Sequence, residues 1–159
     1  MSIYSDQEID ALIKERKILP QNFMSEIQFK HEKGMSHKKY EYYIEGESGS
    51  NFKIILRQNT INTLDFSVIL GYIPTNTNTT FRLRRYNGKS HEHTNKIEKI
   101  KLSYEFHIHK ATERYQLINE SEEKYAEPTD RFYDLHSALQ CMLNDCGFAT
   151  SEDSQLQLL

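Results

Sequence analysis

Between Tyr40 and His109 the chain is a succession of short apolar stretches, cut apart by Gly, Pro and Thr/Asn runs. Punctuation at that spacing leaves little room for helix and reads as β-strands. Tyr40 to Glu45 and Asn51 to Gln58 flank a flexible turn, Gly46-Glu47-Ser48-Gly49-Ser50. Phe66 to Ile73 is a third strand, stopped by Pro74 and a polar Thr/Asn run. Phe81 to Tyr86 and Lys101 to His109 follow, and Met24 to Phe29 is a further candidate.

Helical signals bracket this region. Ser5-Asp6-Gln7-Glu8 fits a capping box, with Tyr4 and Ile9 as a hydrophobic staple. Ile9, Leu12 and Ile13 make a short apolar stripe, and Pro20 ends the helix near Lys17. Asp130 or Asp134 opens a C-terminal helix with the stripe Leu135, Ala138, Leu139, Met142, Leu143 and Cys146. Gly147 suits the left-handed position after it, with Phe148 contacting Leu143. The expectation is an α+β fold, an antiparallel sheet of about five to six strands flanked by an N-terminal and a C-terminal helix. Residues 1–149 form one domain and 150–159 a flexible C-terminal tail.

A length of 159 residues suits one domain with a core of its own. No apolar run approaches the ~20 residues that span a bilayer. Met1-Ser2-Ile3-Tyr4-Ser5-Asp6 lacks the basic and apolar regions of a signal peptide. Cys141 and Cys146 form no CxxC pair and read as reduced thiols. A cytoplasmic protein is expected. The net charge of −3 argues against generic DNA coating. Charge is nevertheless segregated. From Thr79 to Thr112 eight basic residues face three acidic ones, and from Glu113 onward ten acidic residues face three basic ones. The two regions either pair within the fold or mark separate binding surfaces.

Parity concentrates the chemistry. In Lys101 to His109, Leu102, Tyr104, Phe106 and Ile108 point one way and Ser103, Glu105, His107 and His109 the other. With Phe81 and Leu83 inward, Arg82, Arg84 and Tyr86 face outward. Matching apolar faces then puts Arg82, Arg84, His107 and His109 on one side of the sheet. Asn87-Gly88 is a hairpin signal that sets His91 opposite Arg84 and His93 opposite Arg82. A plain loop there would leave both well away from His107 and His109.

Three chemistries fit this constellation. In a metal-independent phosphodiester site His107, His109, His91 and His93 supply base and acid. Arg82 and Arg84 hold the phosphate, with Tyr86, Arg114 and Tyr115 assisting. In a metal site the same four histidines bind Zn or another divalent ion, although the neighbouring arginines oppose a cation. His91-x-His93 with Glu98 is similar to part of the first cupin motif, but the glycine spacing departs from it and no second motif follows. In the structural alternative the Arg/His face simply pairs with acids such as Glu120 to Glu127.

Arg85-Tyr86-Asn87-Gly88 with His91-x-His93-x-Asn95, followed by His107-Ile108-His109-Lys110-Ala111-Thr112-Glu113-Arg114-Tyr115, resembles a group of small bacterial and phage-borne proteins. The likeness extends over Tyr125 to Phe148 and implies no activity. Richness in Lys, Asn, Ile and Tyr without Trp is similar to AT-rich bacterial genomes and their mobile elements. The expectation is an RNA- or phosphate-directed protein, in its sharpest form a toxin-like ribonuclease whose partners are RNA or an antitoxin. The alternatives are a non-catalytic phage or mobile-element inhibitor of a host defence nuclease, and a histidine metal-binding module.

Overall fold

Ser5 accepts a hydrogen bond from the Glu8 amide at 3.0 Å, and the Glu8 carboxylate accepts one from the Ser5 amide at 3.1 Å. The expected capping box thus starts α1, Asp6–Lys14, which buries Ile9 and Ile13. The computed structural model, which describes residues 2–151, continues with β1 (Lys17–Leu19), a 3-10 turn at Met24–Glu26, β2 (His37–Glu45), β3 (Asn51–Asn59), β4 (Phe66–Ile73) and β5 (Phe81–Asn87). Then come β6 (His93–Asn95), β7 (Ile100–Leu102), β8 (His107–Lys110), α2 (Glu113–Leu117), β9 (Tyr125–Pro128), α3 (Leu135–Asp145) and β10 (Phe148–Thr150). No helix among the described residues is long and apolar enough to cross a membrane.

The main sheet has six antiparallel strands in the order β2-β3-β4-β5-β8-β9. One face is the core. Phe52, Ile54, Leu56, Val68, Leu70 and Leu83 are under 1 % exposed there and pack with Ala138, Leu139 and Met142 of α3, Cys146 just beyond it, and Ile9 and Ile13 of α1. Each such aliphatic or aromatic side chain contributes about 1.5–3 kcal/mol by leaving water. Asp134 caps α3, accepting from the Ser137 amide at 2.8 Å, and Gly147 takes φ +77° just beyond its end. The chain then returns as β10, parallel to β1. Both cysteines are free and buried.

Where α1 and α3 end, Lys17 is fully buried. Its three N–H groups are shared among the carbonyls of Leu12 (3.0 Å), Ile13 (3.1 Å), Glu15 (2.7 Å) and Cys146 (2.8 Å), with the Phe52 ring centroid 4.3 Å from Nζ. One ammonium therefore satisfies carbonyls at the C-terminal ends of both helices, where the helix dipole favours a cation. Burial still pulls its pKa down from the usual lysine value to about 8.

Several expectations change. Met24 to Phe29 is a 3-10 turn and an extended segment, linked to β2 by an isolated bridge between Lys30 and Lys39. α1 stops at Lys14, and Lys17 opens a strand. Lys101 to His109 is interrupted: β7 ends at Leu102, Tyr104 is 62 % exposed, and β8 begins at His107. Asn87-Gly88 does not turn a hairpin back along β5, because β6 pairs with β7 instead. Gly88 is needed for close approach, since a Cβ there would collide with the Leu64 carbonyl. Thr150, placed in the expected tail, pairs with Leu19, and 152–159 lie outside the described residues.

The largest correction is a β-bulge. Leu70 pairs with Arg84 and Gly71 with Arg82, so Leu83 is an extra residue in β5. Parity reverses there. Arg84 and Tyr86 face α3, whereas Arg85 joins Arg82 on the opposite face. The Tyr86 hydroxyl, fully buried, donates to Asp145 Oδ2 at 2.6 Å, and Arg131 holds the same carboxylate through two bonds of 2.7 and 2.9 Å. Tyr86→Phe should cost about 2 kcal/mol in urea unfolding, the usual worth of a buried bond to a charged group.

Candidate functional site

The second face of the sheet is polar and divided in two. Over β8 and β9 it is covered by the β6–β7 hairpin. Asn95 anchors that cover, donating to the Ala126 carbonyl at 2.7 Å and accepting from the Ala126 amide at 2.8 Å. Beneath it His93, His107 and His109 converge, with ring centroids 4.8, 4.9 and 6.2 Å apart. His107 and His109 are 3 % and 4 % exposed.

The tautomers follow from the partners. His107 Nδ1–H donates to the Glu105 carbonyl and His109 Nδ1–H to the Glu123 carbonyl, each at 2.8 Å. His93 Nε2–H donates to Asn95 Oδ1 at 3.1 Å. Burial holds all three below the usual imidazole range, and for His109, beside Arg85, down to about 2. These are neutral, locked rings. Among the described residues no three His, Cys, Asp or Glu side chains are arranged to hold a metal ion. His91 stands apart, mostly exposed, with Nε2 3.8 Å from Asp65 Oδ1.

Arg114 and Tyr115 are also elsewhere. Arg114 donates to Glu98 at 2.8 Å over the Tyr115 and Tyr125 rings, and the buried Tyr115 hydroxyl donates to Glu98 at 2.6 Å. They fasten α2 to the loop between β6 and β7.

Over β2 to β5 the polar face is open. Strand register aligns Glu41, Ile55, Ile69, Arg85 and His109 in one row across the sheet. Lys39, Arg57, Ser67 and Asn87 form the next row. At about 4.8 Å per strand, Glu41 and Arg85 stand about 14 Å apart. The segment carrying Glu26, Lys30 and Glu32 closes one side, leaving a groove of about 1010 Å³ with Ile55 and Ile69 as its apolar floor.

Of the arginines at this groove, Arg82 and Arg85 are ion-paired without a side-chain hydrogen bond to a described residue. Arg82 Nε lies 2.8 Å from Glu123 Oε2 but out of line for a hydrogen bond, and Arg85 Nη2 is 3.5 Å from Glu123 Oε1. The Glu123 carboxyl is 3 % exposed, and burial raises it above the usual range. One acid thus holds two cations in place. Arg57 is exposed and forms no ion pair among the described residues. None of the three guanidinium groups donates a side-chain hydrogen bond to a described residue. A planar fork with free N–H donors suits a phosphate or carboxylate.

His37 also lines this groove. Its Nε2 contacts Asp65 Oδ2 at 3.1 Å, and its Nδ1 lies 3.0 Å from Ser36 Oγ. Sequence reading finds no partner for His37, because Asp65 is 28 residues away and meets it only through the β3–β4 turn. It also passes over Arg57 and Arg85. Strict alternation from Leu83 turns Arg85 toward the core, and only the bulge brings it to this face.

No family model, no curated protein and no solved structure significantly matches this chain.

Proposed function

We propose that the chain binds a phosphate-bearing ligand, in extended form a short single-stranded RNA, in the groove over β2 to β5. The observation that carries this reading is the set of three guanidinium groups, Arg57, Arg82 and Arg85, lining one open groove, with Arg82 and Arg85 ion-paired to Glu123 but none of the three donating a side-chain hydrogen bond to a described residue. The apolar floor of Ile55 and Ile69 offers a surface for a sugar or base. The cations are local and the chain is net negative, so binding depends on this cluster and not on a general positive field. The burial of His107 and His109 argues against roles for them as acid and base.

The test is fluorescence anisotropy with a labelled short RNA, competed by inorganic phosphate. Arg85→Ala should weaken binding about 10- to 100-fold, the loss of a charge-assisted contact worth about 1.5–3 kcal/mol. The dependence of log affinity on log salt should become shallower by about 0.7, one phosphate contact on a single strand. Equal affinity and an equal salt slope for wild type and variant would rule this reading out.

A further inference from the structure

We infer that the groove is a transesterification site for RNA, with His37 as the general base. This rests on the phosphate-binding reading above and adds a reaction to it. His37 and Asp65 form an imidazole–carboxylate dyad at 3.1 Å. The carboxylate can only accept there, so Nε2 carries the proton and Nδ1 presents its lone pair. That lone pair already receives a hydroxyl: Ser36 Oγ sits 3.0 Å away. The site therefore accommodates an O–H donor at hydrogen-bond distance from an oriented base, the geometry that general-base catalysis needs. Ser36 is the exposed neighbour in sequence, and it holds the position a substrate hydroxyl would take.

The phosphate clamp adjoins this base. His37 pairs with Asn59, and Arg57 stands two residues before Asn59 on the same face. His37 and Arg57 are thus diagonal neighbours, about 7–8 Å apart. A phosphodiester held by Arg57, with Arg82 and Arg85 beyond it, would bring its own 2′-hydroxyl within reach of Nδ1.

The step balances without a metal or a further reactant. His37 Nδ1 takes the proton of the 2′-hydroxyl as O2′ forms a bond to phosphorus. The P–O5′ bond breaks with its electron pair, and the departing oxygen takes a proton from solvent, to which the open groove gives access. The products are a 2′,3′-cyclic phosphate and a 5′-hydroxyl, and the imidazolium returns its proton to water. Arg57 offsets charge on the equatorial oxygens. Asp65 is a positioning residue, keeping the tautomer and the ring orientation.

The experiment uses the full chain in excess chelator with a short single-stranded RNA, and product masses are read directly. Wild type should yield 2′,3′-cyclic phosphate ends, and a strand with 2′-deoxy residues should remain whole. His37→Gln should lower the rate by about 10²- to 10⁴-fold while anisotropy still reports RNA binding. Asp65→Asn should also lower it. Ser36→Ala, which clears the lone pair, should raise it. Absence of cleavage by wild type overturns the inference, and the anisotropy of Arg85→Ala separately decides whether binding stands. Cleavage undiminished in His37→Gln overturns it as a contaminating nuclease. Loss of cleavage in Ser36→Ala overturns it by making Ser36 the nucleophile.

Discussion

Replacing Lys17 by methionine should lower the unfolding free energy by about 3 kcal/mol in urea denaturation at pH 7. Methionine fits the aliphatic stem but offers no donor to the carbonyls of Leu12, Ile13, Glu15 and Cys146. Each buried carbonyl left without a partner costs about 1–3 kcal/mol. Relief from burying a charge offsets part of that sum. The pH dependence separates the two contributions. Lys17 has its folded pKa lowered to about 8, and an unfolded lysine titrates near 10.4. Below pH 8 both states hold the proton, and the cost of burying charge is fully present. Between those values the unfolded chain binds more protons, so this group adds stability as pH rises. The gap between wild type and Lys17→Met should therefore widen from pH 8 to 10. A loss under 1 kcal/mol, or a gap that narrows over that range, would contradict the role given to this ammonium.

Acidification from pH 7 to 5 should remove about 2–3 kcal/mol of stability, well above the range where exposed carboxylates titrate. His107 and His109 are buried neutral, with folded pKa values below the usual 6.5. An unfolded histidine takes up a proton near pH 6.5, and the folded rings take theirs up only at lower pH. Their contribution is thus present above pH 6.5 and lost as pH falls, for His109 down to about pH 2. Each proton taken up on unfolding is worth about 1.4 kcal/mol per pH unit. Glu123 acts in the opposite sense, because burial raises its carboxyl, and it offsets part of the slope. Urea midpoints at half-unit pH steps measure the loss. Ring NMR signals of His109 should remain those of neutral imidazole at pH 5.5. A flat stability profile, or a His109 ring protonated at that pH, would contradict the burial of this cluster.

The parts of the fold readable from sequence are those fixed by neighbours in the chain. Ser5 and Glu8 cap the first helix, Asp134 the last, and Gly147 ends it in the left-handed region. The expected strand Asn51 to Gln58, with Phe52, Ile54, Ile55 and Leu56 buried, lies in the sheet interior as β3. The parity of His107 and His109 is also correct, since both share a face with Arg82 and Arg85. What local pattern misses is set at long range. The bulge at Leu83 moves Arg84 off that face, and the β6–β7 hairpin buries the histidines that would otherwise be open. Lys17 looks like a surface residue until two helix ends are brought to it, and His37 looks isolated until Asp65 arrives across a turn.

The surplus residue in β5 makes its two sides obey different arithmetic. Facing the groove, Arg82 and Arg85 oppose Gly71 and Ile69, positions two apart on β4, so they stand as next-but-one neighbours although three apart in sequence. Facing α3, Leu83 and Arg84 share the span that normally belongs to one side chain. Shortening the chain by one residue at 83 would therefore cost the helical layer a buried leucine and leave the guanidinium spacing as it is. The spacing of the guanidinium groups on one face and the packing on the other are thus insulated from each other within a single strand, and selection can lengthen or trim one without retuning the other.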